Sequence, residues 1–443
     1  MVRIGLTPNN PPNPTPLPVA SLSMSATGSL QRRLGLFDAV VIGAGSMIGA
    51  GVFVAWAPAA LAAGNALLLG LAIAALIAFC NATSSAQLAA VHPESGGSYV
   101  YGRRQLGAFW GHLAGWGFVV GKTASCSAMA LAVGAYLWPA QDRGVAVAAI
   151  VVINLVNIGG LSRTVAVTKL LLVVSLAALI AVVVSGWLAA DAQPSRLLSV
   201  DTTAYGTLQA AGFMFFAFAG YARIATLGEE VRDPARTIPR AIPLALAWVL
   251  AVYVVVAITA LVALPVAELA ASDAPLRRVV EAGPWAALGP VVGVGAGIAA
   301  LGVLLNLIPG ISRTALAMAR ERELPIWFAH IDGARSIPLR AELTVAAVTI
   351  VLITVIDLRD AIALSGVAVL TYFAITNAAA LTLRREQRRW PRAVAGVGLI
   401  GCVILVAALP PQAILTGALA LAVGAAARLL ARRRHPNQAA ESS

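Results

Sequence analysis

Apolar runs of about 20 residues recur from Leu36 to Leu430, each long enough to carry a helix across the hydrocarbon core of a bilayer. The remainder of the chain offers little else to build with. It is 59% hydrophobic and 11% charged, whereas a soluble domain carries about 25% charged residues. With a mean hydropathy of +0.86, the chain lacks the polar surface that water solubility requires. It reads as an all-α polytopic membrane protein.

Twelve transmembrane helices are predicted, at 36–61, 66–90, 108–136, 144–159, 165–189, 206–228, 240–264, 286–316, 341–357, 361–383, 393–409 and 412–430. The arginines test this count. With a cytoplasmic N-terminus, 23 of the 29 arginines fall in inside segments, against five outside: Arg143, Arg196, Arg277, Arg278 and Arg359. Such an asymmetry places both termini in the cytoplasm of a multi-pass cell-membrane protein. Residues 1–30, rich in Pro and Asn, read as a disordered cytoplasmic tail, with Met24 as a second candidate start. Residues 431–443 form a basic cytoplasmic tail, and the membrane body spans 31–430.

The same distribution disposes of nucleic acid as a partner. The net charge of +12 lies in short loops between apolar runs, where it sets topology and makes no binding stripe. Cys80, Cys126 and Cys402 sit inside apolar runs and read as small buried hydrophobes. His92, His112, His330 and His435 show no paired ligand spacing, and neither G-x-S-x-G nor H-E-x-x-H occurs. Metal, cofactor and catalytic residues are therefore not expected, and neither is an enzyme.

Three basic residues remain unassigned to either side, all within predicted spans: Lys122, Lys169 and Arg223. They include both lysines of the chain. Intramembrane ionisable groups are costly and mark function, unless they snorkel to a span end. Snorkelling fits Lys169, about one turn from a loop, better than the mid-span Lys122. Lys122 lies in GWGFVVGKT (115–123), which imitates a phosphate-binding G-x-x-x-x-G-K-[ST] loop. The imitation fails by one residue: Trp116 stands where the first glycine belongs, and no strand precedes it. Gly117 and Gly121 instead form a GxxxG pair suited to close helix contact.

Two spans are interrupted. The first contains VIGAGSMIGAGVF, with Gly43, Gly45, Gly49 and Gly51 inside ten residues. The sixth contains FMFFAFAGYARIATLGEE, where Gly220 and Arg223 break an aromatic run. Glycine this dense weakens a helix, and the Gly45–Gly49 pair alone would account only for close packing. Breaks in spans five apart, crossing in opposite directions, point to a substrate site between two inverted halves.

Four ordered stretches carry a resemblance: GSMIGAGVF, CNATSSAQLAAVHPESGGSYVY, GEEVRDPARTIPRAI and GISRTALAMARERELP. Over roughly 35–430 the chain resembles permeases of the amino acid–polyamine–organocation superfamily. The resemblance implies a five-plus-five inverted repeat (about 36–189 and 206–383) plus two C-terminal helices (393–430). It also implies alternating-access transport of amino acids, coupled to protons or by exchange. By that resemblance, Ala50 and Gly51 offer N–H groups to the substrate carboxylate, with Ser46 and Gly49 in the same turn, and the Met47 carbonyl faces the amine. Phe216 is the aromatic gate, Ala219 and Gly220 the unwound backbone, and Lys169 resembles a buried proton-coupling lysine. Ala222 stands where relatives carrying cationic amino acids have an acid, and Arg223 follows it. Lys122 and Arg223, if they face the cavity, favour a neutral or acidic amino acid over a cationic one. Alternatively Arg223 faces the cytoplasmic vestibule and pairs with Glu229 or Glu230. Two competing functions are a transport-incompetent amino acid sensor or scaffold and a permease for cationic amino acids or amines. An ATP-driven pump would need a nucleotide domain that the sequence lacks.

Overall fold

A bilayer offers the main chain no water, so each apolar run must close its own hydrogen bonds as helix. The computed structural model describes residues 34–92, 96–159, 165–198, 202–225, 231–332 and 337–434. Among these, regular structure is helical, with only two isolated β-bridges besides. The first run forms α1 (Leu36–Met47), α2 (Ala50–Val54) and α3 (Trp56–Ala63) in succession, followed by α4 (Leu67–Val91). Next comes α5 (Ser98–Leu106), a short helix absent from the predicted spans because SYVYGRRQL is polar. Gly97 (φ 57) and Gly107 (φ 98) bracket it in the left-handed region, where a Cβ is strained.

The long helices α6 (Ala108–Leu137), α7 (Asp142–Ile158) and α8 (Val165–Trp187) follow. Thr203 caps α9 (Ala204–Phe218) by accepting from the Gly206 N–H at 3.0 Å. A 3-10 turn, Ala219–Tyr221, then leads into α10 (Ala222–Ala225). The next helix, α11 (Pro234–Ala263), begins six residues before its predicted span, because Arg236 and Arg240 hide its first turns from a hydropathy reading. The short helices α12 (Val266–Ala270) and α13 (Pro275–Glu281) fill the following loop. They precede α14 (Gly289–Arg320), α15 (Leu339–Val355) and α16 (Leu358–Leu381), the last capped by Asp357 on the Asp360 N–H at 2.7 Å. Finally come α17 (Arg392–Ala408) and α18 (Pro411–Arg434). The last helix runs into the segment assigned to the basic tail; 435–443 and the N-terminal tail lie outside the described residues.

Helices lie over all twelve predicted runs. Among the described residues, nine helical segments are long and apolar enough to cross a bilayer. The chain is a polytopic membrane protein. Large apolar side chains face outward as well as inward: Leu69, Leu155 and Ile180 are more than half exposed, where lipid would cover them.

Between helices the packing rests on small residues, because lipid is as apolar as leucine and close contact has to do the work. The GxxxG pair of α6 behaves as expected. A Cβ on Gly117 would lie 3.3 Å from the Ala368 carbonyl oxygen, and one on Gly121 would lie 2.8 Å from Val369 Cγ2, so α6 and α16 touch along this seam. Nearby, Asn377 donates to Asn81 Oδ1 at 2.6 Å, a buried amide pair joining α16 to α4. The three cysteines are free and buried. Gly121→Leu is expected to push α16 away and to cost about 1–3 kcal/mol, as overpacking does. Thermal unfolding in detergent measures it.

Candidate functional site

The first break is two residues wide. α1 stops at Met47; Ile48 (φ −79, ψ 59) and Gly49 (φ −115, ψ −144) leave the helical region, and α2 restarts at Ala50. Interrupting the ladder frees carbonyls on the α1 side and N–H groups at Ala50 and Gly51. The second break is milder than expected. Ala219 and Gly220 are not unwound but tightened into the 3-10 turn.

The breaks lie against each other, main chain to main chain. A Cβ on Gly220 would run into the Ser46 carbonyl, and one on Gly51 would stand 2.7 Å from Ala217 Cα. Glycine is required at both positions by proximity and not by φ. Ser46 turns its hydroxyl back to Ile42 O at 2.8 Å, within its own helix. Phe216 and Ala222 are buried beside the junction.

A residue the sequence reading passed over joins the breaks. Tyr253 of α11 is fully buried, and its hydroxyl lies 2.7 Å from Met47 O and 3.0 Å from Ala217 O. It has one proton for two carbonyl acceptors. Its signal in the sequence was a lone tyrosine within an aliphatic run, ALAWVLAVYVVVAITALVAL. The Met47 carbonyl expected to face an amine thus already accepts a hydrogen bond, and one of its lone pairs remains.

Lys122 reaches the same place. Its side chain is 8% exposed, and Nζ lies 3.5 Å from Ala219 O, its sole hydrogen bond among the described residues. Such a long contact satisfies little of an ammonium's three donors. Lys169 is elsewhere. Its side chain is 45% exposed and pairs with Asp38 at 2.9 Å. Asp38 precedes Met47 by nine residues, about 13 Å of helix. Lys169 therefore sits at the end of α1 and is not buried at the break. Asp38 was legible as the lone charged residue of the first run. Arg223 is partly buried, and the candidate partners Glu229 and Glu230 lie outside the described residues.

At the far end of α6 a charged hollow of about 530 Å³ opens, lined by Asp142, Glu268, Asp273, Arg277, Arg278 and Glu281 among others. Burial, and then the charges of Asp357 and Asp142, push the Asp273 carboxyl above its ordinary range.

A sequence model described as an amino acid permease matches residues 34–424. The chain belongs to the amino acid permease family. This permease is 57% identical over 409 residues to an uncharacterized transporter of Mycobacterium tuberculosis, covering 91% of this chain and 93% of the relative. It is 24% identical over 451 residues to a branched-chain amino acid permease of Bacillus subtilis, covering 93% and 95%. To a chloroplastic cationic amino acid transporter of Arabidopsis thaliana it is 27% identical over 382 residues, covering 79% of this chain and 65% of that one.

Two substitutions probe the junction. Gly220→Ala is expected to lower the melting temperature sharply, because the methyl meets main chain that cannot swing aside. Gly310→Ala, with open space around it, is the tolerated control. Tyr253→Phe is expected to cost about 1 kcal/mol through the lost hydrogen bond. Thermal unfolding of the purified variants reads both.

Proposed function

We propose that this permease is a secondary active transporter of amino acids with neutral side chains, acidic ones also being admitted. Transport proceeds by alternating access, coupled to protons or by exchange. The observation that supports the substrate class most directly is the Lys122 ammonium, buried at the junction of the two breaks and set against the Ala219 carbonyl. In this reading Ala50 and Gly51 give N–H groups to the substrate carboxylate. Met47 and its neighbours give carbonyl oxygens to the amine, and Phe216 closes over the ligand. Lys122 and Arg223 then repel a cationic side chain and tolerate or attract an anionic one. Ala222 supplies no carboxylate to offset them.

The proposed frame is twelve spans, arranged as a five-plus-five inverted repeat with two further helices and both termini in the cytoplasm of a cell membrane. Packed junctions between α1 and the α9–α10 turn are what such a repeat requires at its centre. Proton coupling is assigned to Lys169, here together with Asp38: each can lose its partner when α1 tilts against α8, which gives the pair two protonation-dependent arrangements.

A thermal-shift screen of the twenty amino acids on the purified protein tests the substrate class. A neutral or acidic ligand at 100 times its Kd is expected to add about 2.7 kcal/mol of stability. Lysine and arginine are expected to add none. Stabilisation by cationic amino acids would refute the role given to Lys122 and favour the reading named for the plant relative. Uptake into proteoliposomes then separates transporter from sensor. Lys169→Ala is expected to abolish its response to a proton gradient, whereas Lys122→Ala should lower uptake at unchanged expression.

A further inference from the structure

At the end of α6 opposite the charged hollow, four helices or their termini meet around one carboxylate. Glu323, in the turn after α14, has a side chain only 4% exposed. Its Oε1 accepts from both arginines, from Arg103 of α5 at 2.8 Å and from Arg428 of α18 at 2.5 Å. Its Oε2 has no hydrogen bond among the described residues and faces His112 Nδ1 at 3.7 Å, an atom equally without one. His112 is 1% exposed, and its Nε2 lies 3.0 Å from the Gly424 carbonyl oxygen. A carbonyl only accepts, so Nε2 must carry a hydrogen. In the neutral ring Nδ1 is then a bare lone pair aimed at a carboxylate oxygen, two acceptors with nothing between them.

We infer that His112 Nδ1 and Glu323 Oε2 form a proton-binding site that tightens the docking of α18 on α6 and α14. One proton, taken from water on that face and returned to it, would satisfy both orphaned atoms at once. It belongs on the ring. Burial raises the Glu323 carboxyl, but the facing His112 ring and the hydrogen bond and charge of Arg428 outweigh it, holding the group below its ordinary range and ionised. The other charged groups of the cluster are Arg103, which also pairs with Glu321 at 2.8 Å, and Arg428. Both arginines oppose a third positive charge, and both are turned to Oε1. Tyr99 of α5 is the competing donor. Its buried phenol has no hydrogen-bond partner among the described residues, and burial together with the Glu323 charge pushes it up, so it stays O–H.

The consequence of a proton here is mechanical. α18 lies along α6 through one row, Ala420, Gly424 and Arg428. Trp116 Nε1 donates to Ala420 O at 2.7 Å, His112 to Gly424 O, and Arg428 to Glu323. Charging His112 pulls Glu323 toward α6 and strengthens the last two contacts together. On the topology proposed above this face is cytoplasmic, which makes the cluster a sensor of internal pH, separate from the Lys169–Asp38 pair.

The full-length protein, labelled with 15N-histidine in lipid nanodiscs, supplies the test through ring 15N–1H correlations from pH 8 to pH 5. His112 is assigned by comparison with His112→Asn. The expected result is one N–H, on Nε2, at pH 8 and a second on Nδ1 as the pH falls. The doubly protonated form should be lost from this range in Glu323→Gln and kept in Tyr99→Phe. A single N–H persisting to pH 5 in the wild type overturns the site, as does an unchanged transition in Glu323→Gln. Loss of the transition in Tyr99→Phe would assign Oε2 to the tyrosine instead. Backbone hydrogen exchange across 420–429, corrected for intrinsic rate, should slow several-fold on acidification in the wild type but not in His112→Asn. Equal behaviour of the two proteins would remove the docking role.

Discussion

Everything at the centre of this permease depends on two main chains approaching without side chains between them. Gly220 against the Ser46 carbonyl, and Gly51 against Ala217, leave no space for a Cβ. That proximity lets Tyr253 reach both breaks with one hydroxyl, and it brings Ala219 within reach of Lys122. A helix break alone is a liability in lipid, since freed carbonyls and amides have no water to turn to. Two breaks facing each other, with a tyrosine and an ammonium beside them, share that cost inside the protein.

The sequence stretches that carry the family resemblance lie beside parts of the chain remote from them. The glycine-rich turn of α1 lies against the α9–α10 turn, while the residue before the opposite end of α1 meets the stretch preceding α11 through the Leu34–Val231 bridge, with the Arg232 N–H on Leu34 O at 2.9 Å. The SYVYGRR segment of α5 and the ARERELP turn after α14 meet through Arg103, Glu321 and Glu323. Segments remote in sequence thus meet at the breaks, ahead of α1 and beside the start of α6.

What could be read in advance follows from what a bilayer imposes. Apolar length located the helices, because lipid demands it of any crossing segment, and glycine density located the first break. The amphipathic start of α11 and the polar α5 escaped because they lie where lipid makes no demand. Pairings escaped for a different reason. Whether Lys169 is buried or faces Asp38 depends on how the first turn of α8 is rotated, and Gly220 tightens its helix where unwinding was expected, at a place where the Ser46 main chain presses close. Neither rotation nor pressure is written in a hydropathy profile. Tyr253 and Asp38 were visible as exceptions within aliphatic runs, and only their partners were missing.

The shared hydroxyl of Tyr253 makes the junction selective about timing. While the breaks touch, one proton serves the carbonyls of Met47 and Ala217 in turn. Were they to separate, the hydroxyl would stay with only one of them, and the other carbonyl would lose the donor it had shared. On the function proposed above, that carbonyl is an acceptor for a substrate ammonium with no hydroxyl competing for it. On that proposal, opening the cleft and admitting an amine are linked through one exchange of hydrogen bonds at Tyr253.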